Sequence, residues 1–266
     1  MHLQNASMKI IYFNKIIAFT IMIAVFFSCT SNKNIIYLQS NGEQQSKGQS
    51  ASYEPMLQSD DVLMIVVSAE NPEVAAPYNM KLVSVMDNSD AAVGREKIQT
   101  YLIDKDGAIE FPMFGKIKLA GLTRIEAIQK VKSLLANHIK DPLVNIRILN
   151  FKVSVLGEVN KPGVHTIQSE RITLLEALSL SGDLTIYGKR NAILVIREKD
   201  GEKVIKKVDI TKRDFINSPY YYLSQNDVVY VEPNKTKVNA SVIGPNITVG
   251  ISALSLIITI IALTLR

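Results

Sequence analysis

The chain has 266 residues, 47% of them hydrophobic, with 30 Lys and Arg against 25 Asp and Glu for a formal charge of +5. That balance describes a folded protein with apolar segments and excludes an intrinsically disordered chain. The small positive excess is dispersed, with no long basic run interleaved with aromatics, so no nucleic-acid surface is expected.

The N-terminal stretch reads as a secretion signal. Lys9 and Lys15 form a basic start and an apolar run, Ile16 to Phe27, follows. Such a run is too short to span a bilayer but suits a signal-peptide core. It stops at Phe26-Phe27-Ser28-Cys29, and Cys29 is the only cysteine in the chain. A lone cysteine permits neither an intrachain disulfide nor a thiolate metal cluster. A small residue before a cysteine, just after such a core, resembles the bacterial lipoprotein processing box, in which the thiol is acylated. The expectation is a signal peptide over 1–28 and lipidation at Cys29, against the blander reading of an incidental cysteine. Cleavage there removes Lys9 and Lys15 and lowers the formal charge to +3. Residues 29–52, rich in Ser, Asn, Gln and Gly, read as a flexible tether.

Short strands and short helices then alternate. Asp61 to Val67 is a β-rich apolar run, read as a buried strand. Residues 70–100 are polar and carry no clear signal. Tyr101 to Ile103, Ala108 to Phe111 and Lys116 to Leu119 read as strands around the turns Asp106-Gly107 and Phe114-Gly115. Thr123 caps a helix, with Glu126 at the capping-box position and Ile125, Ile128, Val131, Leu134 and Leu135 as its apolar stripe. Asp141-Pro142 ends it before the alternating strand Val144 to Leu149.

A second unit opens at Phe151. Val153 to Leu156 and Val164 to Ile167 flank a turn over 157–163, and Thr173 with Glu176 caps a short helix that Gly182 ends. Ile193 to Arg197 and Lys203 to Val208 pair around Asp200-Gly201, and Val228 to Val231 is the last strand. Leu57-x3-Asp61-Val62-x2-Ile65 recurs as Leu223-x3-Asp227-Val228-x2-Val231, which shared strand-entry chemistry would explain. The fold class is α+β, with two small β-rich units, an N-terminal lipoprotein signal and a C-terminal transmembrane helix.

That helix is read over 242–265. Ile247 to Leu265 contains no charge, and nineteen residues make roughly 28 Å of helix, near the ~30 Å hydrocarbon core of a bilayer. Thr248, Ser252, Ser255 and Thr259 fall four, three and four apart and so share one face. Such a face suits helices packed side by side in a membrane, or lining a watery hole. Chance alignment on a plain anchor is the alternative.

No catalytic or metal-ligating set emerges, and no cofactor is expected. His138 and His165 lie in no triad or ligand pattern and read as surface or turn residues. Gly182-x5-Gly188-Lys189-Arg190 imitates a phosphate loop with one residue too many, and with Arg where Ser or Thr would hold magnesium.

Tyr53-Glu54-Pro55, Asp60-Asp61-Val62, Asp106 to Pro112, Gly115-Lys116-Ile117 and Ala120 to Thr123 resemble the polysaccharide export domain of Wza-type outer-membrane lipoproteins. Val155 to Val159, Lys161-Pro162-Gly163, Thr173 to Leu178 and Gly182 to Thr185 resemble the soluble ligand-binding β-grasp (SLBB) module that follows it. The resemblance places an export domain over 53–149 and an SLBB domain over 150–234. It implies a ring-shaped homo-oligomer in the outer membrane whose C-terminal helices form an α-helical barrel for capsular or extracellular polysaccharide. It also implies soluble domains in the periplasm and an inner-membrane polysaccharide co-polymerase docked below. The alternatives are a structural or glycan-binding lipoprotein whose tail only anchors it, and an inner-membrane assembly partner of a co-polymerase.

Overall fold

A computed structural model describes residues 35–39, 54–84, 95–199, 201–242 and 245–264. Cys29 lies outside them, as do the read signal over 1–28 and most of the read tether. Residues 37–266 form one compact unit containing two hydrophobic cores.

The first core is built on β1 (Val62–Ser68), whose inward positions Leu63, Ile65 and Val67 are buried while their neighbours are partly exposed. This is the period-2 pattern of a half-buried strand. It lies between β4 (Thr100–Leu102) and β7 (Leu143–Ile148), antiparallel to both, with Leu63 opposite Tyr101 and Ile148. Between them the chain forms α1 (Pro72–Ala75), a 3₁₀ turn, and the hairpin of β2 (Lys81–Ser84) with β3 (Arg95–Ile98). These fill the stretch that sequence pattern left unassigned. A second hairpin, β5 (Ala108–Phe111) with β6 (Gly115–Lys118), adds Ile109, Phe111 and Ile117 to the core.

Helix α2 (Arg124–Leu135) closes this core. Thr123 Oγ1 accepts the Glu126 N–H while Glu126 Oε2 accepts the Thr123 N–H at 2.8 Å, the reciprocal capping box read from sequence. The buried stripe is Ala127, Val131 and Leu135, spaced four apart. Ile125, expected in the stripe, is 45% exposed, so the helix is rotated from the expected face. Ala127 permits that rotation, because a small residue lets the helix lie close to β7.

The second core packs under a mixed sheet of β12 (Glu202–Val208), β11 (Gly188–Lys199), β14 (Val228–Pro233), β8 (Lys152–Gly157) and β9 (Gly163–Thr166), in that order. All neighbours are antiparallel except β14 and β8. An opening hairpin, a helix, and a last strand returning parallel to the first make a β-grasp arrangement. The helix is α3 (Leu174–Leu180), again with a Thr173–Glu176 capping box, and β10 (Ile172–Thr173) pairs with β13 (Tyr222–Leu223) beside it. Gly157, at φ +90°, ends β8 where a Cβ would stand 2.1 Å from the Val231 carbonyl oxygen. Only glycine lets β8 turn away this close to β14.

Residues 37–39, read as tether, are held against this second unit. Leu38 and Gln39 donate N–H bonds to the Ile210 and Thr211 carbonyls, and Gln39 bridges Lys212 in parallel register. The Tyr37 hydroxyl donates to Asp183 Oδ1 at 2.6 Å, and Arg190 lies 5.4 Å over its ring. Burial and the Asp183 carboxylate push the Tyr37 hydroxyl up to about 12. Tyr37→Phe is expected to cost about 1 kcal/mol, the worth of one hydrogen bond to a charged acceptor in a partly exposed site. Thermal unfolding read at two pH values below 9 checks it.

After β14, Asn234 caps α4 (Lys235–Val242) by accepting the Lys237 N–H at 2.9 Å, and α5 (Pro245–Thr264) follows. Of the helix read over 242–265, the described part of α5 covers Pro245–Thr264. Side chains are described for 249–260 and 263 within it, and all are exposed. Among the described residues no helix is long and apolar enough to cross a membrane.

Candidate functional site

Three places carry the side chains that sequence singled out or that the fold brings together: the C-terminal helix, a matched pair of buried aspartates, and a cleft where the two units meet.

On α5, Ser252, Ser255 and Thr259 are exposed on one face; the side chain of Thr248 lies outside the described residues. Ser255 Oγ donates to the Ser252 carbonyl at 3.0 Å and Thr259 Oγ1 to the Ser255 carbonyl at 2.8 Å. The helix satisfies the Ser255 and Thr259 hydroxyls itself, so they tolerate an apolar neighbour while their oxygens can still accept from water.

The recurring Leu-x3-Asp-Val pattern is one turn built twice. In the first copy the Gln58 N–H donates to Asp61 Oδ2 at 2.8 Å, with Asp60 at φ +70°. In the second the Ser224 N–H donates to Asp227 Oδ2 at 2.7 Å, with Asn226 at φ +64°. Both aspartates are fully buried, and Leu57 and Leu223 sit in the two cores. A short acid that bonds the backbone three residues back fixes a turn that feeds a core strand.

Their electrostatics differ. Asp227 is gripped by Arg197, whose Nε and Nη2 lie 3.0 and 2.7 Å from its two oxygens, while Nη2 also donates to the Tyr222 carbonyl. Burial raises the Asp227 carboxyl and the guanidinium opposes that rise. Among the described residues Asp61 has no arginine partner, and its Oδ1 is buried without a hydrogen-bond partner. Burial pushes it up to about 6, with Asp60 adding to the rise and Gln225 opposing it. Gln225 is committed elsewhere: its Oε1 accepts the Lys152 N–H at 2.8 Å and its Nε2 donates to the Asn150 carbonyl at 2.9 Å. Asn150 in turn accepts the Val62 N–H and donates to the Asp60 carbonyl. Asn150 and Gln225 thus stitch the first unit to the second. Neither was legible as a motif, since each is an ordinary amide whose partners lie 73 to 90 residues away.

The cleft, about 560 Å³, lies beside this stitch. Arg124 from α2, Arg147 from β7 and Arg171 before β10 reach it, together with Glu54, Gln168 and Glu170. Arg124 pairs with Glu170 at 3.3 Å, and Arg171 lies 5.2 Å from the centre of the Tyr222 ring.

The residues weighed for enzyme chemistry have structural partners. His165 Nε2 lies 2.8 Å from Ser181 Oγ and is half-buried on β9, while exposed His138 stands edge-on to Phe114. In the phosphate-loop mimic, buried Arg190 donates to the carbonyls of Leu184, Thr185 and Gly188, and Lys189 pairs with Glu232 at 2.8 Å. Those bonds close a loop and leave no phosphate cradle there. Among the described residues no group of His, Cys, Asp and Glu could hold a metal ion.

Residues 49–149 match the polysaccharide biosynthesis/export protein family, and residues 151–231 match the SLBB domain. The chain is 31% identical over 194 residues to an EPS I polysaccharide export outer membrane protein of Ralstonia solanacearum. It is 30% identical over 193 residues to the protein of the same name in Ralstonia nicotianae. Each match takes in 70% of this chain and 50% of the relative, so the chain spans about half the length of the curated relatives it matches. Proteins of this family are transport components and not enzymes. With the export domain and the SLBB domain in that order on the two cores, this chain belongs to the polysaccharide biosynthesis/export protein family.

Proposed function

We propose that the chain is a subunit of an outer-membrane channel that exports capsular or extracellular polysaccharide, lipid-anchored at Cys29 and assembled as a homo-oligomeric ring. The observation that carries this reading is the domain pair followed by an uncharged 20-residue helix. The span itself is read from the sequence and not from the described helix: Ile247 to Leu265 carries no charge, and at ~1.5 Å per residue it would make roughly 28 Å, near the depth of the hydrocarbon core. A helix bonds its own backbone and can cross lipid, and a ring of them encloses a hole. Thr248, Ser252, Ser255 and Thr259 then face the hole, where hydroxyls give a sliding polymer weak and numerous contacts. The soluble domains lie in the periplasm, where an inner-membrane co-polymerase delivers the chain. The Ralstonia relatives are polysaccharide export outer membrane proteins, which supports the membrane and the cargo.

The second unit faces the membrane in this reading, because Tyr37–Gln39 and α4 both leave from it. The self-bonded hydroxyls of α5 favour one competing reading, a structural or glycan-binding lipoprotein whose helix only anchors it.

Two measurements separate them. A tag after Arg266 is expected to be labelled in intact cells while a tag near Ser46 is not. Ser255→Lys on the proposed inner face is expected to reduce export at least several-fold with insertion intact. Unchanged export would leave the helix an anchor. A C-terminal tag that is never labelled, with the protein in the inner membrane, would make the chain an assembly partner there.

A further inference from the structure

We infer that the cleft between the two units is a binding site for an acidic saccharide, a sugar segment bearing a carboxylate. The inference rests on the export reading for the identity of the polymer, and on the cleft alone for its chemistry. Two of its three guanidiniums, Arg147 and Arg171, have no carboxylate partner among the described residues; Arg124 is already neutralised by Glu170. One acid without an ion-pair partner among the described residues, Glu54, lines the same cleft. The balance leaves room for one further negative charge. Arginine presents a planar fork of donors that matches a carboxylate bidentately, which two lysines would not. Arg171 is also steadied over Tyr222, so less of its freedom is lost on pairing. The other walls suit a pyranose. Gln168, Ser169 and Glu54 offer donors and acceptors for hydroxyls, while Phe151 and Ile148 provide an apolar floor for its C–H face. A volume of about 560 Å³ lies in the range of small-molecule sites and holds two or three sugar rings.

The site sits where Asn150 and Gln225 join the units, so a bound sugar touches both: Arg124 and Arg147 on one side, Gln168 and Arg171 on the other. It would report the passage of an acidic segment to the junction instead of to either core.

The test uses the full chain in detergent and a trisaccharide of galacturonic acid, with neutral galactotriose as its control, titrated calorimetrically. Preferential binding of the acid is expected, weakening about tenfold between 50 and 500 mM salt as the charge pairing is screened. Arg147→Gln and Arg171→Gln, both exposed and without a carboxylate to strand, should each weaken binding at least fivefold. Glu54→Gln should tighten it, a sign that mere loss of fold cannot produce. Equal affinity for the neutral sugar would overturn the inference, as would no binding. So would an Arg147→Gln effect confined to subunit association in light scattering, which would make the cleft a contact between copies. Binding is read without reference to surface labelling. A labelled C-terminus with no trisaccharide binding sinks the cleft alone, while binding with an unlabelled C-terminus sinks the channel alone.

Discussion

Replacing Arg197 with alanine is expected to cost about 3–5 kcal/mol, the usual loss when one member of a buried ion pair is removed. Asp227 has no exposed surface and its oxygens are shared among the Ser224 N–H and two nitrogens of Arg197. The variant leaves a carboxylate in a dry site with one backbone donor. It also loses the bond to the Tyr222 carbonyl and the stacking on Tyr220 at 4.9 Å. Because burial already raises the Asp227 carboxyl and the variant lacks the guanidinium that opposes the rise, the orphaned acid escapes by taking up a proton, and the deficit should shrink as pH falls. Arg197→Lys keeps the charge but not the fork, and should fall between the two. Urea unfolding of the three proteins at pH 4.5 and 7.5 measures this. Equal deficits at both pH values would mean that packing, and not the stranded charge, sets the loss.

The opposite sign is expected at the twin turn. Asp61→Asn should stabilise the protein near neutral pH by up to about 3 kcal/mol, the free energy matching a rise from 3.8 to about 6. The folded state prefers the protonated acid and the unfolded state releases its proton near 4. Stability is therefore complete below about pH 4, declines as pH rises toward 6, and is flat beyond it. Asparagine still accepts the Gln58 N–H and has no charge to bury, so its profile should lack that decline. Unfolding midpoints for both proteins at four values between pH 4 and 8 decide it. Parallel profiles would show that Asp61 is ionised in the fold without cost. The two substitutions act on matching positions of one recurring turn, and only the presence of Arg197 separates their outcomes.

Much of this architecture is written locally. Thr123 with Glu126 and Thr173 with Glu176 announce two helix starts because a capping box needs only four residues. Alternating runs such as Val144 to Leu149 announce strands because the pleat has period two. The repeated Leu-x3-Asp-Val pattern correctly marks a shared strand entry. What was hidden depends on distant partners. Ile35 to Leu38 is only a four-residue apolar run inside a polar segment, and what holds Tyr37–Gln39, namely Asp183, Ile210 and Thr211, lies more than 140 positions away. Ile125 looks like a stripe residue by spacing, but Ala127 offers a closer approach to the sheet. The cleft draws its arginines from three separate segments, so no window of sequence contains it. The hydroxyl face of the last helix is legible as spacing, while its bonding back to the Ser252 and Ser255 carbonyls is a detail of rotamers.

The docking of residues 37–39 on the second unit also sets how the molecule carries load. Gln39 is bridged to Lys212, and α4 continues directly from β14, so both outgoing segments are moored to the same body. In the chain, the described residues of the export domain, 54–84 and 95–149, fall between these two moorings. Tension between the N-terminal segment and the C-terminal helix runs through the Gln39 bridge and the five-stranded sheet, and the export domain bears none of it.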